Sequence, residues 1–123
     1  MTSEGPKAGP KPIGPYSPAR AAGEWLFVSG QIALDESGNL VQGSAARQTE
    51  VCLQHLNARL REAGFSPAEV VKTTVFLADI KSFAEVNEVY AKFFASPYPA
   101  RSAVAVAALP KGAAVEIEAV ARR

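Results

Sequence analysis

The sequence predicts an α+β fold, a single mixed β-sheet with two helices on one face. Three observations lead there. Strand-like and helix-like runs follow in the order strand, helix, strand, helix, strand, strand. The central strand runs are apolar on both faces, so the sheet has no face suited to water. Two helices cover only one face of such a sheet. An exposed apolar sheet face would be a large patch, and burial against further copies in a closed cyclic oligomer removes it.

Composition bounds the rest. The chain has 123 residues, 48% hydrophobic and 20% charged, with a formal net charge of +1, which suits one soluble globular domain. No long uncharged apolar run is present to span a bilayer, and no secretory leader pattern opens the chain. The single Cys52 excludes an intrachain disulfide and fits a reducing compartment, so the expected location is the cytoplasm. One Cys and one His cannot build a His/Cys zinc tetrad. Near-neutral charge argues against a dedicated nucleic-acid binder.

Residues 1–12, MTSEGPKAGPKP, read as a flexible tail, and 13–123 as a single domain. In Ile13-Gly14-Pro15-Tyr16-Ser17-Pro18 two prolines stiffen an extended loop. The Tyr16 hydroxyl held there either lines a pocket or accompanies a ring packed over a sheet edge. Trp25 to Ile32 reads as a strand buried on both sides, with Gly30 allowing close backbone approach by a neighbour or ligand. Asp35-Glu36-Ser37-Gly38-Asn39 reads as a turn.

A helix is expected from about Ser44 to Ala63, with Cys52, Leu53, Leu56 and Leu60 on its apolar stripe and Gly64 ending it. Cys52 is then an inert core residue, and His55 lies off the stripe without a suggested partner. Ser66-Pro67-Ala68-Glu69 is a capping box opening a short turn. The run from Val70 to Ala78 is the clearest strand, with Val71, Thr73, Val75 and Leu77 on one face. Ser82-Phe83-Ala84-Glu85 is a second capping box. It starts a helix whose stripe, Phe83, Val86, Tyr90, Phe93 and Phe94, reads as core, with Asn87 beside it.

The last quarter, Pro99 to Ala121, holds two apolar runs about a Leu109-Pro110-Lys111-Gly112 turn. Arg101 opens the first run; Glu116 and Glu118 share a face of the second, opposite Val115, Ile117 and Ala119. Charges in such strands stand on a solvent edge or in a site that uses them.

Together these segments resemble the RidA (YjgF) family. The resemblance is carried by Pro99-Ala100-Arg101-Ser102, Val106-x-x-Leu109-Pro110 and Val115-Glu116-Ile117-Glu118-Ala119-Val120-Ala121. Ile13-Gly14-Pro15-Tyr16-Ser17, Val28-Ser29-Gly30-Gln31-Ile32, and Val71 to Leu77 with Phe83-Ala84-x-Val86-Asn87 agree in order and spacing. The match covers nearly the whole chain from Ile13. It implies a chorismate-mutase-like fold, a homotrimer with sites between subunits, and enamine/imine deaminase activity. The substrates implied are 2-aminoacrylate and 2-iminobutanoate or 2-iminopropanoate, hydrolysed to 2-keto acids and ammonia without metal or cofactor. Carried over by position, Arg101 binds the carboxylate, Tyr16, Ser29 and Gly30 line the pocket, Glu116 activates water, and Asn87 belongs to the site.

Each implied role has a physical reason. The rigid fork of arginine holds a planar carboxylate through two parallel charge-assisted bonds, which fixes the C=N carbon in place. A carboxylate with a raised pKa suits proton acceptance from water. Alternation cannot separate Glu116 from Glu118; only the family register selects Glu116. Many relatives carry cysteine two residues after the arginine, where this chain has Ala103. A role for the Ala103 backbone carbonyl in holding the water survives that change. The bland alternative for Arg101 and Glu116 is a structural ion pair across subunits. Functional alternatives are a pathway-specific aminoacrylate or aminomuconate deaminase, an RNA-binding or ribonuclease member, or a chaperone-like member without chemistry.

Overall fold

Five strands form one mixed sheet in a computed structural model that describes residues 9–123: β1 (Ala19–Ala22), β2 (Trp25–Gln31), β3 (Val70–Leu77), β4 (Ala100–Ala105) and β5 (Val115–Arg122). Their spatial order is β1-β2-β5-β3-β4. Only β3 and β4 run parallel, joined through a helix as a parallel pair requires. The last two strands are therefore not neighbours. β5 inserts between β2 and β3, pairing antiparallel with both, and β4 forms an edge. Residues 1–8 of the expected tail lie outside the described residues.

Helix α1 (Ala45–Glu62) forms where the apolar spacing places it. The Ser44 hydroxyl accepts from the Arg47 amide at 3.1 Å, and Gly64 at φ 81° supplies the left-handed stop. Leu53, Leu56 and Leu60 pack with Leu26, Val28, Val75, Val115, Ile117 and Ala119 of the sheet. Helix α2 (Phe83–Phe93) adds Val86 and Tyr90 to the same core, so both helices cover one face. Cys52 is fully buried there, and burial, with Glu116 nearby, pushes its thiol well above the ordinary range.

Three local expectations need correction. Val71 is exposed, because the β3–β5 register shifts between Val70 and Lys72. That bulge puts Val70, not Val71, on the buried face with Thr73, Val75 and Leu77. Ser82 does not cap α2: its backbone is already helical, and its side chain makes no cap bond. Asp79 instead caps the preceding 3₁₀ turn through the Lys81 amide at 2.9 Å, while Glu85 accepts from the Ala46 amide of α1 at 2.9 Å. Finally, β2 is not covered on both sides within one chain. Leu26 and Val28 are buried, but Trp25 and Phe27 are 41% and 48% exposed on the face away from the helices.

Candidate functional site

The two charged segments of the last quarter come to lie on opposite faces of the sheet. Arg101 pairs in register with Thr73, whose side chain is buried beneath the helices. Thr73 accepts or donates a 2.7 Å hydrogen bond with the Tyr90 hydroxyl of α2. The Arg101 guanidinium therefore turns toward α2. Its Nη1 donates to Asn87 Oδ1 at 2.7 Å, and its Cζ stands 4.9 Å from the centroid of the Tyr90 ring and 5.5 Å from that of Phe83.

An amide oxygen orients the guanidinium without neutralising it, and Arg101 has no ion-pair partner among the described residues. Burial pushes the Tyr90 hydroxyl above its ordinary pKa, against the opposing pull of Thr73 and Arg101. A groove of about 420 Å³ opens beside the guanidinium, lined by Asn87, Tyr90, Ala91, Tyr98, Pro99 and Arg101. Ala103 follows on the same face of β4, opposite Val75 and packed against the core.

Glu116 and Glu118 pair with Phe76 and Thr74, on the face that no helix covers. Here β2 carries a bulge. Val28 pairs with Ala119 and Gln31 with Ile117, so Ser29 and Gly30 together oppose the single residue Glu118. The Glu116 side chain lies directly over Gly30. A Cβ at Gly30 would stand 2.7 Å from the Glu116 carboxyl carbon, closer than packed atoms allow. Glycine permits that close approach, and a side chain there would displace the candidate water-activating carboxylate. Burial, and then the like charge of Glu118, raise the Glu116 pKa above the usual carboxylate range.

Tyr16 is joined to this second region by short links. Ser29 Oγ donates to the Ser17 carbonyl at 2.7 Å and the Ser29 amide to the Pro18 carbonyl at 3.0 Å, tying the Pro15–Pro18 loop to the bulge. Tyr16 and Gly30 line the same narrow cleft. One chain thus brings Tyr16, Ser29, Gly30 and Glu116 together around the bulge, and Arg101 with Asn87 and Ala103 around β4. It does not bring the two groups to each other.

Phe83 and Tyr90 are the residues that sequence reasoning assigned only to the core. Phe83 is exposed, and both rings flank the arginine. Their spacing to Asn87, at i, i+4 and i+7, was the available signal, since such residues share a helix face. His55 is half-buried with Nε2 2.7 Å from the Leu34 carbonyl, and burial lowers its pKa. No group of three or more potential metal-ligating side chains occurs among the described residues, and no helix there is long and apolar enough to cross a membrane.

Comparison with known proteins gives a consistent picture. The sequence profile of the family described as Endoribonuclease L-PSP matches residues 6–123. A human protein named 2-iminobutanoate/2-iminopropanoate deaminase is 50% identical over 113 residues, covering 91% of this chain and 82% of that protein. A RutC family protein of Pyrococcus horikoshii is 50% identical over 113 residues, covering 91% of this chain and 90% of that one. Among solved structures, RidA from the Antarctic bacterium Psychrobacter sp. PAMC 21119 superposes with a TM-score of 0.91 at 41% identity, covering 98% of this chain and 97% of that one.

Proposed function

The chain belongs to the endoribonuclease L-PSP (YjgF/RidA) family, and we propose that within it the protein is a 2-iminobutanoate/2-iminopropanoate deaminase. It hydrolyses reactive imines, and the enamines that tautomerise to them, to 2-keto acids and ammonia. Relatives named for that activity at about half identity support this reading. The observation that carries it is the state of Arg101: a guanidinium steadied by a neutral amide between two rings, with no ion-pair partner among the described residues. That arrangement suits a ligand bringing its own planar carboxylate.

Placement of the charges on two faces bears on the assembly. Glu116 is on the uncovered face and two strands from the β4 edge that carries Arg101. A small imino acid cannot touch both within one chain. We therefore assign the complete site to the boundary between two subunits of a cytoplasmic homotrimer, Arg101, Asn87 and Ala103 coming from one chain and Tyr16, Ser29, Gly30 and Glu116 from its neighbour. The exposed Trp25 and Phe27 supply the apolar surface that such an assembly buries.

In the reaction the arginine fork holds the substrate carboxylate and so fixes C2 of the imine. Glu116 as carboxylate takes a proton from water as the water oxygen bonds to C2. The imine reacts as its N-protonated iminium, so the C=N electron pair returns to nitrogen and leaves a neutral carbinolamine. Glu116 then passes the proton it took from water to that nitrogen, the C–N bond breaks as the hydroxyl oxygen forms the C=O bond, and the hydroxyl proton goes to the departing ammonia, giving ketone and ammonium. A raised pKa lets one carboxyl serve in both directions. Tyr16 and the Gly30 backbone steady the polar atoms, and the Ala103 backbone carbonyl helps hold the water.

The family description also carries a ribonuclease reading. A net charge of +1 supports the small-molecule reading over it, since phosphate-backbone binding relies on clustered cations. The test is ammonia release from 2-iminobutyrate generated in place by an amino-acid oxidase. Purified wild-type chain should exceed the uncatalysed rate, and Arg101→Ala should lose about 10²–10³-fold in turnover, the scale for removing one electrostatic anchor. The variant should keep the oligomeric state of the wild type. A wild-type rate equal to background would sink the deaminase reading.

A further inference from the structure

We propose that Arg59 is a positioning residue for Tyr16, acting through the N-terminal segment Pro10–Ile13; the inference rests on the reading of Tyr16 as a site residue. Arg59 stands in the last turn of α1 yet is only 6% exposed. The chain ahead of the sheet buries it. Arg59 Nη2 donates to the Pro10 carbonyl, and a Cβ on Gly9 would stand 2.8 Å from the guanidinium carbon. Nη1 approaches Glu62 at 3.7 Å, and the buried Nε has no hydrogen-bond partner among the described residues.

The same segment ends on the tyrosine. The Ile13 amide donates to the Tyr16 hydroxyl at 3.4 Å, and the ring lies along Gly14. Arg59, Pro10, Ile13, Tyr16 and Gly30 line one cleft of about 30 Å³. With Pro10, Pro12 and Pro15 restricting φ between the anchor and the ring, a hold at Pro10 is passed on to Tyr16 with little slack. Gly30 in turn carries the Glu116 side chain. The guanidinium is thus the fixed end of a short physical chain whose other end is the candidate site.

A bland role for Arg59 is favourable charge at a helix C-terminus. Arg61, exposed in the same turn, already supplies that, and it needs no burial. Sinking a guanidinium with an unbonded Nε is unfavourable by itself, and an apolar side chain would fill the place without that cost. Anchoring a stiff segment gives the burial a purpose.

The experiment compares Arg59→Met, which keeps the stem and removes the donors, with Arg59→Lys, which retains a donor for the Pro10 carbonyl. For Arg59→Met, kcat/KM for 2-iminobutyrate should fall about tenfold, the scale of a misplaced pocket group. Arg59→Lys should recover part of it. Amide hydrogen exchange at Lys11, Ile13, Gly14 and Tyr16 should accelerate while the sheet stays protected. In a Tyr16→Phe background the Arg59→Met loss should largely vanish, because both changes act on one group.

If Arg59→Met does not fold, Gly9→Val displaces the segment from the other side and should give the same losses. Losses that add fully to those of Tyr16→Phe, unchanged exchange at the four amides, or full turnover in both Arg59→Met and Gly9→Val would overturn the proposal. Should the wild-type chain itself release no ammonia, the deaminase reading falls separately, and exchange at Ile13 and Tyr16 decides whether Arg59 holds the tyrosine.

Discussion

The surroundings of Arg101 and Glu116 treat charge in opposite ways. Around Arg101 the fold supplies a neutral hydrogen-bond acceptor and two aromatic faces, which fix direction and leave the positive charge available. Around Glu116 it supplies burial and a second carboxylate, both of which make the negative charge harder to hold, beside the close backbone of Gly30. In the proposed reaction one region keeps an ion and the other lets a proton come and go. Anchoring a substrate and moving protons need that difference. Because the sheet separates the two, the contrast within one chain becomes a statement about how chains combine.

The sharpest way to break the comparison is to divide the two regions between different chains. Arg101→Ala and Glu116→Gln should each be nearly inactive alone. Mixed and reassembled in equal amounts, they should recover about a quarter of wild-type turnover, since one interface in four then joins an intact Arg101 to an intact Glu116. Equal recovery is impossible for a site contained in one chain, where every copy lacks one group. Activity of the mixture no higher than that of the separate variants would remove the inter-subunit site.

A smaller effect distinguishes the two acids. Glu116→Gln should lower turnover about 10²-fold, the usual scale for a general base. Glu118→Gln should cost far less, because Glu118 is exposed and only Glu116 lies over the Gly30 backbone. The comparison is read from kcat on 2-iminobutyrate; a larger loss for Glu118→Gln would exchange their roles.

Why the pairing of faces escaped sequence reasoning follows from the same geometry. Alternation along β5 correctly separates Val115, Ile117 and Ala119 from Glu116 and Glu118, and the structure buries the first three. Alternation is a property of one strand, however. Which face of the sheet receives Arg101 depends on its register with Thr73, a pairing between residues far apart in sequence. Helix α1 was legible because its cap, stripe and stop are local. The Ser82 capping box was local too, but Asp79 captured the preceding turn and Glu85 turned to another helix. The bulges at Val71 and at Ser29-Gly30 were equally hidden, since a bulge exists only relative to the partner strand. Gly30 alone hinted at one. Tyr90 and Phe83 were legible as a stripe but not as a platform, because the cation they serve arrives from β4.

The smallest effect concerns the acid side of the pH profile. In the proposed reaction Glu116 acts as the carboxylate, so activity should fall as pH drops through its pKa. Since burial and Glu118 both raise that pKa, the fall should begin at higher pH than an ordinary glutamate would give. Glu118→Gln removes the like charge and leaves burial, the larger cause, in place. The acid limb of kcat/KM should therefore move to lower pH while remaining above the ordinary carboxylate range. The Arg101 region offers a control: Asn87→Ala loosens the guanidinium but leaves the two causes of the raised Glu116 pKa, burial and Glu118, in place, and should raise KM with the acid limb unmoved. A limb that shifts equally in Asn87→Ala and Glu118→Gln would mean the titrating group is shared between the regions, and the division of labour drawn from the two faces would fail.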